Sequence, residues 1–518
     1  MASDLGGHIS FTEKSIAALF FNMVDKNPEK TAIWCDGEEL TYQELNSLVC
    51  RYANYLASRG VVYGDIIGIP MNNSVESVAL LLAAAAIGAG LAPVNATLPM
   101  DAADEAFKAA GVKHLIARKL FFRAAGRSAF PYLSGCRLCL DGKVEGADQF
   151  ASVLQASDKR PDVTGITGNE TFILTMTSGS TGVPKPIELT QKTKIIRAEA
   201  HCRLYHITPD DRVLAATPLY HSLAERLVLI PLLIGGTAVL LPRFTPALWL
   251  KCIQEQRVTF TIAVSAQLMQ IAKLLSDSSE GELSSLRSVV SSSALLSPDV
   301  REDLIQKLHC DFHEMYGTSE CSTVTSIFFR EAMDKQQSVG RALPGVEIKI
   351  IDEKDQNVPA GTVGEIVVKT PLQCAGYYRL PQKTAEAMVD GFFRTGDLGF
   401  VDKDDYLFFA GRKKELIITG GVNIYPKDVE DKVQTIDAVK ACAAFPLPDD
   451  RLGEVVALAI VVKDGMQLSK KEVQFFCARQ LADFQQPHKI FFLDKLPENA
   501  MGKVTKINLP EVVAGLEG

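Results

Sequence analysis

The stretch from Thr175 to Gln191 combines hydroxyl groups, glycines and a lysine. It reads Thr-Met-Thr-Ser-Gly-Ser-Thr-Gly-Val-Pro-Lys-Pro-Ile-Glu-Leu-Thr-Gln and follows the apolar residues 172–174, which are typical of the end of a buried strand. Glycines let backbone N–H groups approach an anion, and hydroxyl and ammonium groups add further donors. The predicted phosphate-binding residues are Thr177, Ser178, Gly179, Ser180, Thr181, Gly182 and Lys185. We therefore expect a loop that holds nucleotide phosphates.

This loop differs from the Walker A loop, Gly-x4-Gly-Lys-Ser/Thr. Counting from Gly179 places Pro184 where the second glycine belongs, and Pro186 follows Lys185 where Ser or Thr belongs. A flexible Ser/Gly-rich surface linker is the alternative. The strand-like flanks and the closing Pro-Lys pair disfavour a linker. The loop alone indicates nucleotide phosphates in a protein that is not a Walker-type NTPase.

Two motifs further along the chain carry carboxylates. Tyr316-Gly317-Thr318-Ser319-Glu320 has the ring, hydroxyls and carboxylate to stack a base, contact phosphate and hold magnesium. By itself it would be read as a simple strand-to-helix turn. Arg394-Thr395-Gly396-Asp397 places a carboxylate that suits ribose hydroxyls, although Thr-Gly-Asp is usually only a turn.

Two motifs nearer the C-terminus carry lysines. Residues 411–426 join the basic cluster Arg412-Lys413-Lys414 to a β-rich run and the pair Gly420-Gly421. A solvated run of charges does not explain these glycines. Residues 496–503, Leu-Pro-Glu-Asn-Ala-Met-Gly-Lys, place Lys503 in a loop, where a solvated surface lysine is the alternative.

The elements that position these motifs alternate between helices and short strands. Thr41 and Glu44 predict a capping box at the start of a helix. Residues 65–70 predict a buried strand, and residues 78–94 predict a buried helix that runs into a strand, because this apolar stretch is too short to span a membrane. Further strands are predicted at residues 212–216, 237–241, 259–264 and 287–290. This alternation predicts α/β layers with largely parallel sheets.

From Gly345 the pattern changes to strands with charged turns, at residues 346–351 and 364–369, which predicts a small β unit. The last hundred or so residues mix a strand at 455–462 with an amphipathic helix at 470–481, which predicts a small α+β domain. We therefore predict an α/β fold with a large N-terminal domain, residues 1–411, made of layered sheets plus the small β unit. A small α+β C-terminal domain, residues 412–518, follows a hinge near Lys414.

Composition restricts the partners and the compartment. The 518 residues carry a net charge of −8, which argues against a nucleic-acid-binding surface over the whole chain. Residues 1–11 lack the apolar core of a signal peptide, so we expect a cytoplasmic protein with no integral membrane segment. Among eleven cysteines, Cys136 and Cys139 are the only close pair, and no second pair or nearby histidine completes a zinc site. Free thiols in a reducing compartment are expected.

In this order and spacing, the motifs resemble those of the adenylate-forming superfamily of acyl- and aryl-CoA synthetases, firefly luciferases and peptide-synthetase adenylation domains. The resemblance spans residues 40–506. Segments 376–378, 390–397 and 499–503 are most similar to AMP-forming acyl-CoA synthetases of the fatty-acid and malonyl-CoA ligase type. The resemblance implies that a carboxylate attacks the α-phosphate of MgATP to give acyl-adenylate and pyrophosphate. A thiol then takes the acyl group and AMP leaves.

The resemblance also implies the cofactors and partners. They are ATP, Mg²⁺, a small-molecule carboxylic acid and coenzyme A, with the phosphopantetheine of an acyl carrier protein as the alternative acceptor. A catalytically inactive binding homologue is a third reading. It is disfavoured by the joint presence of Lys185, Glu320, Asp397, Arg412 and Lys503.

The resemblance implies a role for each motif. The loop from Thr177 to Lys185 would hold the β- and γ-phosphates, and Lys503 would lie between the substrate carboxylate and the α-phosphate. Glu320 would serve magnesium, and Ser319 the α-phosphate. The remaining nucleotide residues would be Tyr316 with Gly317 at the adenine and Asp397 with Arg412 at the ribose.

The C-terminal domain would be mobile. The resemblance implies that this domain rotates about Lys414 between the two steps. It also implies that Gly420 and Gly421 line the passage for the pantetheine arm. A short charged segment at the hinge suits such a rotation. Pro186 and Gln191 depart from the residues common in the family, glycine and histidine, and Pro186 stiffens the exit of the loop.

The implied acyl pocket is carried by two segments. His221 matches an aromatic or histidine gate beside the carboxylate, with an ordinary core or surface histidine as the alternative. Ser292, Ser293 and Ala294 match a glycine-containing segment that floors the pocket, and serines there disfavour a wide straight channel. Arg226 with Glu225 recognises a polar or second carboxylate group, or the two form an ion pair with no ligand.

Overall fold

The computed structural model describes residues 11, 13, 15–126, 130–178, 184–275, 283–419, 422–449, 451–498 and 504–516, without the side chains of Thr177 and Ser178. The chain forms two compact units. The first contains Met1–Val324, Phe328–Glu331 and Thr370–Glu386, and the second contains Thr325–Ile327, Ala332–Lys369 and Ala387–Gly518. The predicted boundary between residues 411 and 412 falls inside the second unit, and the division into residues 1–411 and 412–518 stays a prediction.

Two sheets organise the first unit. Its strands are β1 (Thr31–Cys35), β2 (Glu38–Thr41), β3 (Ile66–Pro70), β4 (Gly90–Val94), β5 (His114–Ala117), β6 (Arg137–Cys139), β7 (Asp148–Gln149), β8 (Thr171–Ser178), β9 (Pro184–Thr190), β10 (Arg212–Ala215), β11 (Thr237–Leu240), β12 (Phe260–Val264), β13 (Ser288–Ser292), β14 (Asp311–Thr318), β15 (Ser322–Phe328) and β19 (Gly376–Tyr377). One sheet has the order β15-β14-β13-β12-β10-β11-β1-β2, and the other β19-β9-β8-β4-β3-β5-β6-β7.

Most strand pairs of the first unit are parallel, as the alternation of helices and strands predicts. The parallel pairs include β10 with β11, β12 with β13 and β3 with β4. The pairs β1 with β2 and β8 with β9 are antiparallel. The strands predicted at residues 212–216, 237–241 and 259–264 are confirmed as β10, β11 and β12.

The helices of the first unit are α1 (Ile16–Lys26), α2 (Tyr42–Ser58), α3 (Val75–Ala86), α4 (Met100–Ala110), α5 (Lys119–Ala125), α6 (Phe150–Leu154), α7 (Gln191–Leu204), α8 (Ser222–Ile234), α9 (Pro246–Gln256), α10 (Ser265–Ala272), α11 (Pro298–Leu308) and α12 (Pro381–Glu386). The capping box predicted at Thr41 and Glu44 is confirmed at the start of α2. Helices α3 and α8 are buried on nearly every side because apolar residues surround them. Helix α8 packs against α1 and α7.

The second unit contains two further sheets. Its strands are β16 (Arg341–Ala342), β17 (Glu347–Ile351), β18 (Gly364–Lys369), β20 (Met388–Val389), β21 (Phe392–Val401), β22 (Leu407–Arg412), β23 (Ile417–Thr419), β24 (Val422–Ile424), β25 (Val439–Asp449), β26 (Gly453–Val462) and β27 (Lys489–Phe492). The order β17-β18-β21-β20, with β22 beside β21, is the β unit predicted from residue 345 onward. The second sheet has the order β24-β23-β26-β25, with β27 beside β26.

The last sheet is covered on both faces by the C-terminal helices α13 (Pro426–Val433), α14 (Lys470–Gln480) and α15 (Leu509–Ala514). Alternate residues of β26 belong to different cores, because side chains along a strand point to opposite faces. Val456, Leu458 and Ile460 pack with α13 and α14. Val455, Ala457 and Ala459 pack with α15. The predicted helix at residues 470–481 is confirmed as α14.

All eleven cysteines are free thiols, ten of them buried. Across the described ranges, no helix combines the length and apolar character that a membrane crossing requires.

Candidate active site

The phosphate-binding motif joins two paired strands. Strand β8 continues to Ser178, beyond the predicted end at residue 174, and runs antiparallel to β9. Thr177 lies opposite Lys185, and Ser178 lies opposite Pro184. The predicted contacts of Gly179, Ser180, Thr181 and Gly182, and those of the Thr177 and Ser178 side chains, lie outside the described residues. Lys185 is the described side chain of the motif, near the start of β9.

The segment with Glu320 is a turn between neighbouring strands. Strand β14 ends at Thr318 and β15 begins at Ser322, so the alternative of a strand-to-helix turn is wrong. The Cys321 N–H donates to the Thr318 hydroxyl at 3.0 Å. A Cβ atom on Gly317 would lie 1.9 Å from the Ser322 carbonyl oxygen, which leaves room for glycine alone. The two strands therefore approach closely where the motif bends.

Arg197, on α7, holds this turn from within the protein. The side chain is wholly buried. Its Nη2 donates to the carbonyl oxygens of Ser319, at 3.1 Å, and Glu320, at 2.8 Å. Its Nε donates to the carbonyl of Leu372 at 2.8 Å. One guanidinium thus joins the turn that carries Glu320 to the segment that leads into β19.

Tyr377, on β19, links two of the predicted site residues. Its hydroxyl donates to Glu320 Oε1 at 3.0 Å. The Nζ atom of Lys185 lies 5.7 Å from the centre of its ring, within the range of a cation–π contact. The structure therefore brings Lys185 and Glu320 to two sides of one aromatic side chain.

The buried face of α7 is charged. Lys194 Nζ and Glu225 Oε2 form an ion pair of 2.8 Å, and both side chains are about fully buried. Arg226 Nη1 lies 3.0 Å from His201 Nε2 and 3.4 Å from the Thr323 hydroxyl. Of the two readings of Glu225 and Arg226, the structure shows an ion pair, but Glu225 makes it with Lys194. The predicted contact of Arg226 with a substrate stays a prediction.

Burial sets the protonation of this cluster. It lowers the pKa of Lys194 to about 8 and that of Arg226 to about 10. Burial, with Arg226 adding to it, holds the pKa of His201 well below its ordinary value, so this imidazole is neutral. The cluster therefore carries more positive than negative charge. Removal of either Lys194 or Glu225 alone would leave an unpaired buried charge and strongly destabilise the fold.

His221 precedes α8 and is largely enclosed. Its backbone N–H donates to the Pro218 carbonyl at 3.0 Å, and its ring centre lies 4.3 Å from that of Tyr220. Within the described part of the chain, its buried Nε2 atom has no hydrogen-bond partner. Burial lowers the pKa of His221 to about 4, so the ring is neutral at pH 7. A neutral imidazole with one unused nitrogen suits a wall of a substrate pocket.

The serine segment ends β13 in a conformation that favours glycine. Ser293 has a φ of 82°, in the left-handed region. Ser265 donates hydrogen bonds from its hydroxyl to the carbonyls of Ser292, at 3.1 Å, and Ala294. Ser293 and Ala294 are exposed, and Ser292 is half-buried. The chain thus keeps a glycine-type backbone at the place where the family resemblance expects glycine.

In the second unit, the two predicted ribose-binding residues lie side by side. Asp397 on β21 is opposite Arg412 on β22 in an antiparallel pair. The Arg412 Nε atom lies 3.2 Å from Asp397 Oδ1, and the Asp397 side chain is 3% exposed. Residues 394–397 lie within β21, not in an isolated turn. A buried carboxylate next to an exposed guanidinium can accept hydrogen bonds from hydroxyl groups.

The remaining predicted site residues lie in sequence near the proposed hinge or at the C-terminal lysine motif. Lys414 is exposed and belongs to a short 3₁₀ turn, Lys413–Glu415. Gly420, Gly421 and Lys503 lie outside the described residues. Lys506, just beyond Lys503, lies 3.4 Å from Glu415 and 2.7 Å from Glu430. The segment after Lys503 is therefore tied to the turn that contains Lys414.

A magnesium ion fits Glu320 only in the company of phosphates. In the ranges that the structure describes, no three His, Cys, Asp or Glu side chains form a metal-binding group. Mg²⁺ is usually held by one or two carboxylates together with substrate phosphates. The single Glu320 carboxylate, held by Tyr377, matches that donor set.

Sequence reasoning assigned no role to Lys194, Arg197, His201 or Tyr377. The first three recur at spacings of three and four, so they share one face of a helix. Their polarity would have placed that face in solvent, whereas the structure buries it. Tyr377 lies in segment 376–378, which contributes to the family resemblance. No feature of the sequence indicates its contact with Glu320.

Two family models match the chain. The family model described as AMP-binding enzyme matches residues 20–378, and that of the AMP-binding enzyme C-terminal domain matches residues 428–503. The indoleacetate–CoA ligase of Aromatoleum aromaticum is 32% identical over 494 residues, which cover 94% of this chain and 96% of that protein. A feruloyl-CoA synthase of an Amycolatopsis species is 31% identical, with coverage of 93% and 95%.

A solved structure agrees with these matches. The crystal structure of ATP-bound MatB from Rhodopseudomonas palustris has a TM-score of 0.87 and 28% identity, and it covers 98% of this chain and 100% of that chain. The matches confirm the resemblance and the predicted fold class, a large α/β N-terminal domain with a small C-terminal domain.

The partly buried His221 predicts a pH-dependent stability. Its pKa is about 4 in the folded chain and about 6.5 when unfolded, so the unfolded chain binds the proton first as the pH falls. Its contribution is present above pH 6.5 and is lost between pH 6.5 and pH 4. In H221N, the loss of unfolding free energy across this window should shrink by up to about 3 kcal/mol, measured by denaturant titration. An unchanged loss would contradict the buried neutral state.

The left-handed Ser293 predicts a stabilising substitution. Ser293→Gly relieves the backbone strain and should raise the unfolding free energy by about 1 kcal/mol. Ser292→Gly is the matched control; Ser292 lies in β13, so glycine there should destabilise by about 1 kcal/mol. Thermal or denaturant unfolding of both variants provides the comparison. Equal destabilisation by both substitutions would refute the strain at Ser293.

Proposed function

Since the chain belongs to the AMP-binding enzyme family, we propose that its described site serves the two-step activation of a carboxylic acid. The chain is an AMP-forming acid–thiol ligase that activates an acid with ATP and transfers the acyl group to coenzyme A. The observation that carries the assignment of the site is the placement of Lys185 and Glu320 on two sides of Tyr377. A cation for phosphates and a carboxylate for a metal lie together there.

The first step brings two anions together, the acid and the α-phosphate. Fixed positive charge must lower this barrier. Lys185 is proposed to hold the β- and γ-phosphates, which leave as pyrophosphate, together with the loop from Thr177 to Gly182. Glu320 holds Mg²⁺, which neutralises phosphate charge when bound. Ser319 contacts the α-phosphate, and Tyr316 with Gly317 faces the adenine.

The second group of residues binds the ribose and supplies the catalytic lysine. Asp397 accepts hydrogen bonds from the ribose hydroxyls, and Arg412 holds the ribose. The distance of 3.2 Å between Arg412 Nε and Asp397 Oδ1 supports a joint role. Lys503 is proposed to contact the substrate carboxylate and the α-phosphate. Residues 412–518 form the mobile domain with its hinge at Lys414, with support from the C-terminal family match at 428–503 and the exposed turn Lys413–Glu415. Gly420 and Gly421 line the thiol passage.

The acceptor is coenzyme A. The relatives from Aromatoleum and Amycolatopsis are named as a CoA ligase and a CoA synthase, and they do not favour the carrier-protein alternative. A carrier-protein phosphopantetheine nevertheless presents the same thiol. An acyl carrier protein is therefore the second acceptor in the experiment below. Thioester formation with the carrier protein in preference to CoA would reverse this assignment.

For the acid, we propose a ring-bearing monocarboxylic acid of the arylacetic or cinnamic class. Two relatives are named for indoleacetate and ferulate. The neutral His221, whose ring is tilted against that of Tyr220, offers an aromatic wall for such a ring. The second candidate is an acid with an additional polar group, because the buried Nε of Arg226 lacks a hydrogen-bond partner among the described residues.

The eleven free thiols support a reducing, cytoplasmic location.

The experiment measures the two half-reactions separately. Wild-type protein should release pyrophosphate only when an acid is supplied, and a panel of aryl, fatty and dicarboxylic acids identifies the class. Lys503→Ala should lose adenylation by about a hundredfold or more, because an electrostatic contact in the transition state is removed. It should still transfer preformed acyl-adenylate to CoA.

The exposed Lys495 supplies a matched control from the same region. Lys495→Ala should retain both half-reactions. Full adenylation by Lys503→Ala would overturn the role of this lysine. If the wild type releases no pyrophosphate with any acid of the panel, that result would support the inactive binding homologue instead.

A further inference from the structure

We propose that Tyr377 is a positioning residue that orients the Glu320 carboxylate and the Lys185 ammonium for the metal-bound triphosphate. The inference rests on the proposed function, since it assumes the roles of Lys185 and Glu320. It adds a residue that contacts neither the reacting carboxylate nor the α-phosphate in that scheme. Its effect is transmitted through the two side chains that it touches.

The two contacts use different parts of the tyrosine. The hydroxyl donates to Glu320 Oε1 at 3.0 Å, a charge-assisted hydrogen bond to a carboxylate. The ring face attracts Lys185, whose Nζ lies 5.7 Å from the ring centre. Because the ring is rigid, the two contacts set the carboxylate and the ammonium relative to each other.

The backbone of Tyr377 is fixed to the strand that carries Lys185. Tyr377 pairs with Ile187 in the antiparallel contact of β19 with β9. The next residue, Tyr378, donates its N–H to the Pro186 carbonyl at 2.8 Å. The Tyr377 N–H donates to the Thr384 hydroxyl at 2.9 Å. The ring therefore starts from a backbone position that is defined with respect to Lys185.

The backbone of Glu320 is fixed to the same segment from the other side. Its carbonyl accepts the Cys374 N–H at 2.7 Å and the Arg197 guanidinium at 2.8 Å. Arg197 also binds the carbonyl of Leu372. With both backbones held, the main freedom left to the Glu320 carboxylate is in its own side-chain torsions. The Tyr377 hydroxyl restricts these torsions.

The Tyr377 hydroxyl is the donor in this contact, because a carboxylate oxygen can only accept. Removal of this hydroxyl should free the carboxylate to rotate and weaken the binding of the metal that accompanies ATP.

The first test compares two neighbouring tyrosines. Tyr377→Phe removes the hydroxyl and keeps the ring beside Lys185. Tyr378→Phe is the matched control, because the Tyr378 ring packs against the core that contains Phe107 and Phe121. In pyrophosphate release at saturating ATP and acid, Y377F should require about tenfold more Mg²⁺ for half-maximal rate, as expected for the loss of one hydrogen bond to a charged group. Y378F should match the wild type.

A double-mutant cycle separates positioning from a general structural effect. If Tyr377 acts through Glu320, Y377F should have little further effect in an E320Q background. Tyr377→Leu, which also removes the ring, should raise the KM for ATP beyond that of Y377F. Transfer of preformed acyl-adenylate to CoA should be unchanged by Y377F within about twofold, because the β- and γ-phosphates have already left as pyrophosphate at that stage.

The outcomes distinguish the inference from the proposed function. The role of Tyr377 would be overturned if Y377F showed the Mg²⁺ dependence of the wild type. It would also be overturned if Y377F lost as much activity in the E320Q background as in the wild type. In either case, acid-dependent pyrophosphate release by the wild type would uphold the proposed function. Failure of the wild type to release pyrophosphate with any acid would overturn the function itself. Melting temperatures of Y377F and Y378F verify folding, and the cycle remains decisive if Y377F is less stable.

Discussion

The buried guanidinium of Arg197 is the interaction on which the described half of the site depends. It binds three carbonyl oxygens, those of Ser319, Glu320 and Leu372, with one rigid planar group. A lysine in its place offers a single point charge and cannot reproduce this fork. The turn that bears Glu320 and the segment that bears Tyr377 are therefore held to each other before any nucleotide binds. Such preorganised positions are what an electrostatically catalysed reaction requires.

Arg197 belongs to a charged interior between α7 and α8. Lys194, Arg197 and His201 of α7 are buried, and so are Glu225 and Arg226 of α8. Lys194 pairs with Glu225, and Arg226 lies beside His201. Burial of these groups is costly unless they are paired or hydrogen-bonded. Helix α8 begins directly after His221, so one helix carries Glu225 and Arg226 and starts at the proposed acid-binding wall.

Much of the architecture follows from the sequence, and the exceptions have physical causes. Local signals were sufficient for the capping box at Thr41, for the apolar helix α3 and for strands β10 to β12. The motif order identified the family. The inward charges of α7 were missed because polarity normally marks a solvated face. The left-handed Ser293 and the Tyr377–Glu320 bond depend on tertiary contacts between distant segments, which spacing along the chain does not reveal.

The central claim is that the carboxylate of the acid attacks the α-phosphorus of ATP and that the thiol later attacks the acyl carbon. The most direct test uses an acid whose carboxylate oxygens carry a heavy-oxygen label, with mass analysis of the products after turnover with CoA. In the proposed route, the oxygen that bridges acyl group and phosphorus stays with the nucleotide, so each AMP should contain one labelled oxygen. Unlabelled AMP, or label in pyrophosphate or phosphate, would contradict the acyl-adenylate route.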